Sequence, residues 1–598
     1  MSDDHSDHTE RDVNDRWPIE RRRLLQAAGA GFGSLSFAGF SGEVVSAKTG
    51  CADGPFEATY EAGSVNIGRI RADQAKGENP GSMQAASPSD EDELDVSGEQ
   101  PPRKNAQESN IDQEGPLTIR TEYDGVNSLE TRGGVPSDSQ VAAGDGQLLH
   151  VLNRNIAIYN KQSGKREQFF PLERLWEPVI PEPEGGFVLG VPFVFDPRAR
   201  YDRNEDRYMI CATQFQFGLA DDGSAINRED VEEATQESDE EVLATASRPP
   251  RGWFLVAVSA SSNPNGTWYV YRIPPEDATG VDNVGLVDYP TLGFDRNAIY
   301  LTQNFFSAEL DVTMVTLDKA AMYAGEDVTA YHFNGMNDSD SDGITFTVQP
   351  AQQPFSGGSD GTYHLVNSDF PDPVTDPTGT LTLWELTDPL NDPSLECFTL
   401  NVDPYMYPLP ARQPETDSSF IDTLGTRVMN ADFNDGSLWT AHSTSIEWND
   451  GRPVAAIRWY EIDVVSRSVV QSGTYGAPNA SYFMPTIGSE GDSTIIVHNV
   501  SGPETFPRMD VAGRTTDHTE GRLEDSIIVE EGKSKYVALP NEISGGVERW
   551  GDYNGVSVDP SSGRFWTVSQ YSPDIDIPES DPERDPYATR IAEIHFDD

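Results

Sequence analysis

The sequence predicts an all-β chain organised as a β-propeller of seven four-stranded blades, with six or eight as the alternative counts. Three observations carry that expectation. Short runs rich in Val, Ile, Thr, Tyr and Trp are separated by turn residues at close spacing, with almost no helical periodicity. One plan, a polar start, a short strand, a tight turn and a longer apolar strand, recurs along the chain. The second strands, such as STIIVHNV and YMICATQF, are apolar with poor alternation. A sheet buried on both faces between two neighbours has that character.

The copies follow in order. The first begins near Asp138 (SDSQVAAGDGQLLHVLNRN) and continues into NIAIYNK. The second begins near Asp196 (DPRARYDRNEDRYMICATQF) and continues into GWFLVAVSASSNPNGTWYVYRI; the third begins near Asp288 (DYPTLGFDRNAIYLTQNF) and leads to TMVTLDKAAMYAG. A degraded fourth lies around Ser356 (SGGSDGTYHLVNSDF), before TLTLWELTDP. The fifth starts near Leu424 (LGTRVMNADFNDGSLWTAHS) and the sixth near Pro485 (PTIGSEGDSTIIVHNV). The seventh is RWGDYNGVSVDPSSGRFWTVSQY, from Arg549 to Tyr571, with ATRIAEIHF behind it. Four strands per copy is the size of a propeller blade.

With 42 basic and 100 acidic side chains in 598 residues, the formal net charge is −58. Only eight residues are lysine, and the acids run along the whole chain rather than in one tail. Self-repulsion of this size points to a protein adapted to molar salt, where the Debye length is about 3 Å. The charge argues against a nucleic-acid partner.

Residues 21–47 read RRRLLQAAGAGFGSLSFAGFSGEVVSA: Arg21, Arg22 and Arg23, a mild Gly/Ala-rich apolar run, and a small-residue site at Val45-Ser46-Ala47. This pattern predicts a twin-arginine export signal over 1–47, an extracellular or cell-surface location, and no transmembrane segment in the mature chain. Residues 48–116 are expected to be an acidic disordered spacer. Residues 117–598 then form the propeller domain, with an acidic insertion at 218–251 read as a surface loop. The three cysteines, Cys51, Cys211 and Cys397, make no disulfide framework; Cys211 reads as a small buried side chain, and no pairing is fixed.

Ordered segments from about Tyr123 onward, among them YDGVNSLETRGGVPSDSQVAAGDG, FDPRARYDRNEDRYMI, VAVSASSNPNGTWYVY, VDYPTLGFDRNAIYLT, DTLGTRVMN, PRMDVAGR and RWGDYNGVSVDP, resemble a family of exported, sialidase-like β-propeller proteins of bacteria and archaea, here in a haloarchaeal form. The resemblance implies a propeller outside the cytoplasm and brings no particular activity. Where that family shows Pro-Pro-Asp in its first repeat, this chain has Pro136-Ser137-Asp138. The turns DRNEDR, DFNDGS and DPSSGR resemble the Asp-box of sialidase-like propellers only loosely. They fall after the first strand and read as tight turns.

In a propeller the starts of the first strands converge on one end of the axis. Asp138, Asp196, Asp288 and Asp552 meet that condition, and clustered carboxylates either bind a cation such as Ca2+, share protons or repel. The plainer expectation is that each fixes its own turn through backbone N–H groups. Arg427, Arg514 and Arg549 are candidates for clamping a carboxylate ligand, against the alternative that they pair with the aspartates. For a glycosidase, Asp552, Tyr553 and Glu548 are the catalytic candidates. His150, His364, His442 and His498 fall in second strands and read as buried, hydrogen-bonded side chains. No H-E-x-x-H, phosphate-binding loop or dinucleotide fingerprint is present. The sequence therefore predicts an extracellular binding or scaffold module for a glycan or cell-surface component, with a sialidase-like glycan hydrolase as the alternative. An open arginine pocket with an unpaired carboxylate would favour the hydrolase; arginines bridged to the aspartates would count against it.

Overall fold

The computed structural model describes residues 51–70, 106–109, 116–131, 134–180, 192–216, 251–275, 285–306, 310–341, 343–354, 361–371, 376–448, 451–538, 546–575 and 586–596. The expected signal at 1–47 and residues 218–250 of the expected insertion lie outside them.

Among the described residues the chain is all-β apart from one short helix, Lys319–Ala324, and two 3-10 turns. The strands form seven antiparallel units of four. The first unit is Gln140–Ala143, Gln147–Leu152, Asn155–Asn160 and Arg166–Pro171. The second is Phe193–Asp202, Arg207–Gln216, Arg251–Ser259 and Thr267–Ile273. The third is Leu286–Phe294, Ala298–Phe306, Leu310–Asp318 and Val328–Asn334. The fourth is Gln349–Gln352, Tyr363–Ser368, Thr378–Thr387 and Ser394–Tyr405. The fifth is Ala431–Asn434, Ser437–Ile446, Val454–Asp463 and Ser468–Gly476. The sixth is Ser481–Glu490, Ser493–Gly502, Thr505–Thr515 and Glu524–Glu530. The seventh takes Gly555–Val558, Phe565–Tyr571 and Ala588–Phe596 from the C-terminal end and its outer strand, Leu117–Asn127, from far upstream.

First strands pack on first strands in chain order, and Gly555–Val558 packs on Gln140–Ala143. Each unit is therefore covered on both faces, which is why the second strands lack alternation: Ser493–Gly502 is buried at every position after the first. The fourth unit starts at Gln349 rather than at Ser356, which lies outside the described residues. Its opening, TFTVQPAQ, has no aspartate to announce it.

The expected spacer is in part ordered. Asp53–Tyr60 pairs with the outer strand of the third unit, Gly63–Asn66 with that of the second, and Ala106–Glu108 runs parallel to that of the fifth. These short pieces build no core of their own; an existing sheet edge supplies their backbone partners. Cys51 is disulfide-bonded to Cys397 in the outer strand of the fourth unit, so one pairing exists that the cysteine spacing does not disclose. Cys211 is free and buried.

Two lysines bolt neighbouring units together. Lys161, just past the third strand of the first unit, donates to Gly144 O at 2.7 Å and to Asp559 Oδ2 of the seventh unit at 2.8 Å. Lys319 holds the same place in the third unit, donating to Asp295 O at 2.5 Å and to Asp202 Oδ2 of the second unit at 2.8 Å. Both aspartates are the turn residues singled out in the sequence. Asp202 Oδ1 accepts from the N–H groups of Asn204 and Glu205, and Asp559 Oδ1 from those of Ser561 and Ser562. One oxygen closes the turn and the other receives the neighbour's ammonium. Breaking a buried pair strands a charge. Lys161→Met is therefore expected to cost about 3 kcal/mol, read as a lowered urea midpoint in high salt; an unchanged midpoint would show that the bolt does not hold the first and seventh units.

Candidate functional site

Five of the seven first-strand entrances share a backbone feature. Asp138, Asp196, Tyr289, Thr347 and Met484 all have positive φ, between 47° and 55°. In the second, third and sixth units the strand register skips at this residue and the proline behind it, Asp196-Pro197, Tyr289-Pro290 and Met484-Pro485. The corner is a bulge that turns the chain into the strand. Asp tolerates the left-handed region better than most residues. By register Asp196 is equivalent to Tyr289, whereas Asp288 sits one place earlier, so the aspartates that look equivalent in the sequence occupy two different positions.

The four aspartates still gather at one end. The Asp552 N–H donates to Asp138 Oδ1 at 2.6 Å, Asn153 Nδ2 donates to Asp138 Oδ2, the Asp196 N–H donates to Asn153 Oδ1 at 2.7 Å, and the Tyr289 N–H donates to Asp196 Oδ2 at 3.2 Å. These bonds run from the seventh unit through the first and second to the third. Arg549 Nη2 donates to both oxygens of Asp552 at 2.6 and 2.8 Å, and its Nη1 to Asp422 Oδ2 at 3.1 Å. Arg427 is buried with its guanidinium 4.9 Å from the ring centres of both Tyr289 and Phe346. Arg514 is elsewhere: it lies in the third strand of the sixth unit, donates to Gln471 Oε1 and to His518 O at 3.2 Å, and does not join the other two arginines. A third strand is displaced outward from the axis, so the expected arginine trio does not form.

Burial dominates the electrostatics. It pushes the Asp138 and Asp288 carboxyls well above the usual range, helped by Asp552 and Asp196 for the first and by Asp196 for the second. Burial and then Asp552 raise Asp196 to about 6. Asp552 is raised by burial despite Arg549, while Arg549 is driven up because its acidic neighbours outweigh the cost of its own burial. Asp288 Oδ2 is buried with no hydrogen-bond partner, the place where a retained proton relieves most. Among the described residues no three of His, Cys, Asp and Glu are arranged to hold a metal ion. Oxygens of Asp138, Asp196 and Asp552 accept from backbone N–H groups, Asn153 and Arg549.

Two segments pack over this end. Residues 406–430 meet the described residues 531–538 and 546–554 through Phe420–Ile421, paired in parallel with Val547–Glu548, and through Gln413, which exchanges two bonds with the Tyr536 backbone. Ile421, Leu424, Tyr536 and Trp550 pack over the strand-entrance residues Tyr289, Phe483 and Tyr553. The catalytic candidates are occupied beneath. Glu548 is buried, accepting from Ser419 Oγ at 3.2 Å and the Ala538 N–H at 2.8 Å. Tyr553 OH donates to Pro197 O at 2.9 Å, and the Arg198 guanidinium lies 3.3 Å from its ring centre. Asn153, Arg198 and Asp422 went unnoticed in the sequence, because nothing in their local spacing marks them. The histidines are buried as expected: His150 bonds Gln140 O and Thr589 Oγ1, His442 bonds Ser443 O and Tyr460 OH, and His498 bonds Ile496 O.

No family model matches the sequence, and no curated protein matches it. Among solved structures the chain is similar to a polysaccharide lyase, Uly1, at 10% identity and TM-score 0.35, covering 80% of this chain and 98% of that one. It is also similar to an intramolecular trans-sialidase from Ruminococcus gnavus, at 10% identity and TM-score 0.30 with 77% and 92% covered. A thermostable family-43 glycoside hydrolase is similar at 11% identity and TM-score 0.26, with 69% and 92% covered.

Two outcomes follow from the electrostatics. A carboxyl raised on folding contributes stability that is present below its unfolded value and lost as pH rises through its folded value. Asp288→Asn removes that loss, so melting curves from pH 5 to 8 should show the variant gaining on the parent toward high pH, by at most about 1.4 kcal/mol per pH unit; a variant that falls behind at pH 8 would show the charged form to be required. Burial lowers His150 to about 4 and His442 and His498 to about 3. Since the unfolded chain takes up those protons near pH 6.5, their contribution to stability declines as pH falls below 6.5. Their ring resonances should show no protonation in NMR spectra between pH 8 and 5, and a midpoint near 6.5 in the folded protein would contradict the burial.

Proposed function

We propose that the seven units form a closed seven-bladed propeller, exported by the twin-arginine route and adapted to high salt, that serves as an extracellular binding or scaffold module for a glycan or cell-surface component. The observation that carries the non-catalytic part is the pairing of Arg549 with Asp552 and Asp422 beneath the cap. Glycoside hydrolysis needs a protonated acid and a second carboxylate flanking a substrate. Here the foremost candidate has both oxygens on a guanidinium and is covered by two loops. The Cys51–Cys397 bridge supports export, because such bonds persist in oxidising compartments.

The opposite end offers the better binding face. There the far ends of the first strands surround a cavity of about 40 Å³, lined by Tyr201, Arg203, Phe433, Ser489 and Ser557 among others. That volume holds a few waters, so a saccharide would lie across the rim, on the half-buried Phe433 and on Arg203, which Glu490 holds through two bonds of 2.7 Å. The test is incubation in high salt with a panel of glycans and fluorogenic glycosides. Binding without turnover is expected, weakened about tenfold or more by Phe433→Ala or Arg203→Ala and unaffected by Asp552→Asn. Turnover that Asp552→Asn abolishes in a folded variant would overturn the non-catalytic reading.

A further inference from the structure

Four Asn-x-Ser/Thr triplets occur in the sequence, at Asn265, Asn337, Asn479 and Asn499, and the structure separates them. Such a triplet accepts an N-linked glycan only where it is reachable in an exported protein. Asn499 is fully buried, its Nδ2 donating to Arg508 O, Ser569 Oγ and Gln570 O. Asn265 donates to Glu167 Oε2 at 2.9 Å, and the hydroxyl of its Thr267 accepts from Asn66 Nδ2 at 3.2 Å. Asn479 is exposed, but its Ser481 is buried at a strand start and accepts from the Ala455 N–H.

Asn337-Asp338-Ser339 differs from all three. It lies in the loop between Val328–Asn334 and the fourth unit, with Asn337 and Ser339 exposed on either side of a buried Asp338. The buried residue anchors the loop: Asp338 Oδ2 accepts from Thr382 and Thr399 hydroxyls at 2.9 and 2.6 Å, and its N–H donates to Thr345 Oγ1 at 3.1 Å. The Asn337 N–H donates to Cys51 O at 2.8 Å, which ties the loop to the disulfide-bonded segment. The acceptor amide and the hydroxyl of the triplet thus both face solvent from a fixed loop.

We propose that Asn337 is a site of N-linked glycosylation on the folded protein. This rests on the export reading given above, and it goes further. A route that moves folded chains leaves only triplets accessible in the fold, and of the four this is the one that presents both groups. The donor is a lipid-linked glycosyl phosphate or diphosphate. The bond from the anomeric carbon to the phosphate oxygen breaks, the lipid phosphate leaves with the electron pair, the anomeric carbon bonds to Nδ2 of Asn337, and Nδ2 gives up one proton.

The test is mass spectrometry of the protein recovered from the organism that makes it, reading both the N-terminus and the peptide containing Asn337. The expected result is a chain lacking residues 1–47 with a glycan on Asn337, lost in both Asn337→Gln and Ser339→Ala and retained in Asn479→Gln. A processed N-terminus with bare Asn337 overturns the site while leaving export intact. An unprocessed N-terminus with bare Asn337 overturns both. A glycan on Asn479 or Asn499 instead overturns the claim that folding selects the acceptor.

Discussion

The rest of the structure depends on the junction between its first and last units. Every unit buries both faces against neighbours, so an unclosed row would expose one apolar face at each end. Val141, Leu148 and Tyr159 of the first unit pack with Trp566, Val568 and Ile591 of the seventh, and an open row would leave them in water. Three interactions of different kinds meet there. Leu117–Asn127 completes the last unit across more than 450 residues of chain, Lys161 reaches Asp559, and the Asp552 N–H reaches Asp138. All are long-range contacts, whose loop-closure entropy makes them late to form. Six of the units draw their four strands from one stretch of chain; the seventh and its junction with the first do not.

That junction also shows how a chain of net charge −58 handles ionisable groups inside. Repulsion among the exposed acids is diffuse and salt screens it, and exposed ion pairs add little to stability. The interior is more selective. Two of the eight lysines are used as inter-unit bolts, each with one carboxylate and one carbonyl. At the capped end carboxylates outnumber nearby guanidiniums, and burial raises their proton affinity.

Much of this fold was legible because strand composition and turn residues are local signals. The all-β class, the copy starts near Asp138, Asp196, Asp288 and Asp552, and the apolar second strands all appear within short windows of sequence. What escaped is nonlocal. Leu117–Asn127 and Asp53–Tyr60 look polar because they are outer strands whose order comes from an edge formed far along the chain. The Cys51–Cys397 bridge spans 346 residues, which spacing cannot encode. Arg514 failed as a channel residue because it lies in a third strand, whereas Arg427 and Arg549 lie in segments that lead into first strands.

The recurrent aspartate is the clearest case of a signal that was read correctly as recurring and incompletely as to cause. If the carboxylate were what the entrance requires, entrances lacking it should differ in shape. Three of them do not: Tyr289, Thr347 and Met484 adopt the same left-handed φ as Asp138 and Asp196. The shared constraint is a backbone corner that lifts the chain into an innermost strand, and Asp is one residue able to occupy it at low cost. Where Asp does occupy it, the side chain acquires a second task, accepting N–H groups from neighbouring units as Asp138 and Asp196 do. Asp138 and Asp196 are brought to one end by their corners, and the pairing of Arg549 with Asp552 is the structure's answer to the carboxylates gathered there. An acidic ring at a propeller mouth is therefore weak evidence of catalysis until its backbone role has been subtracted.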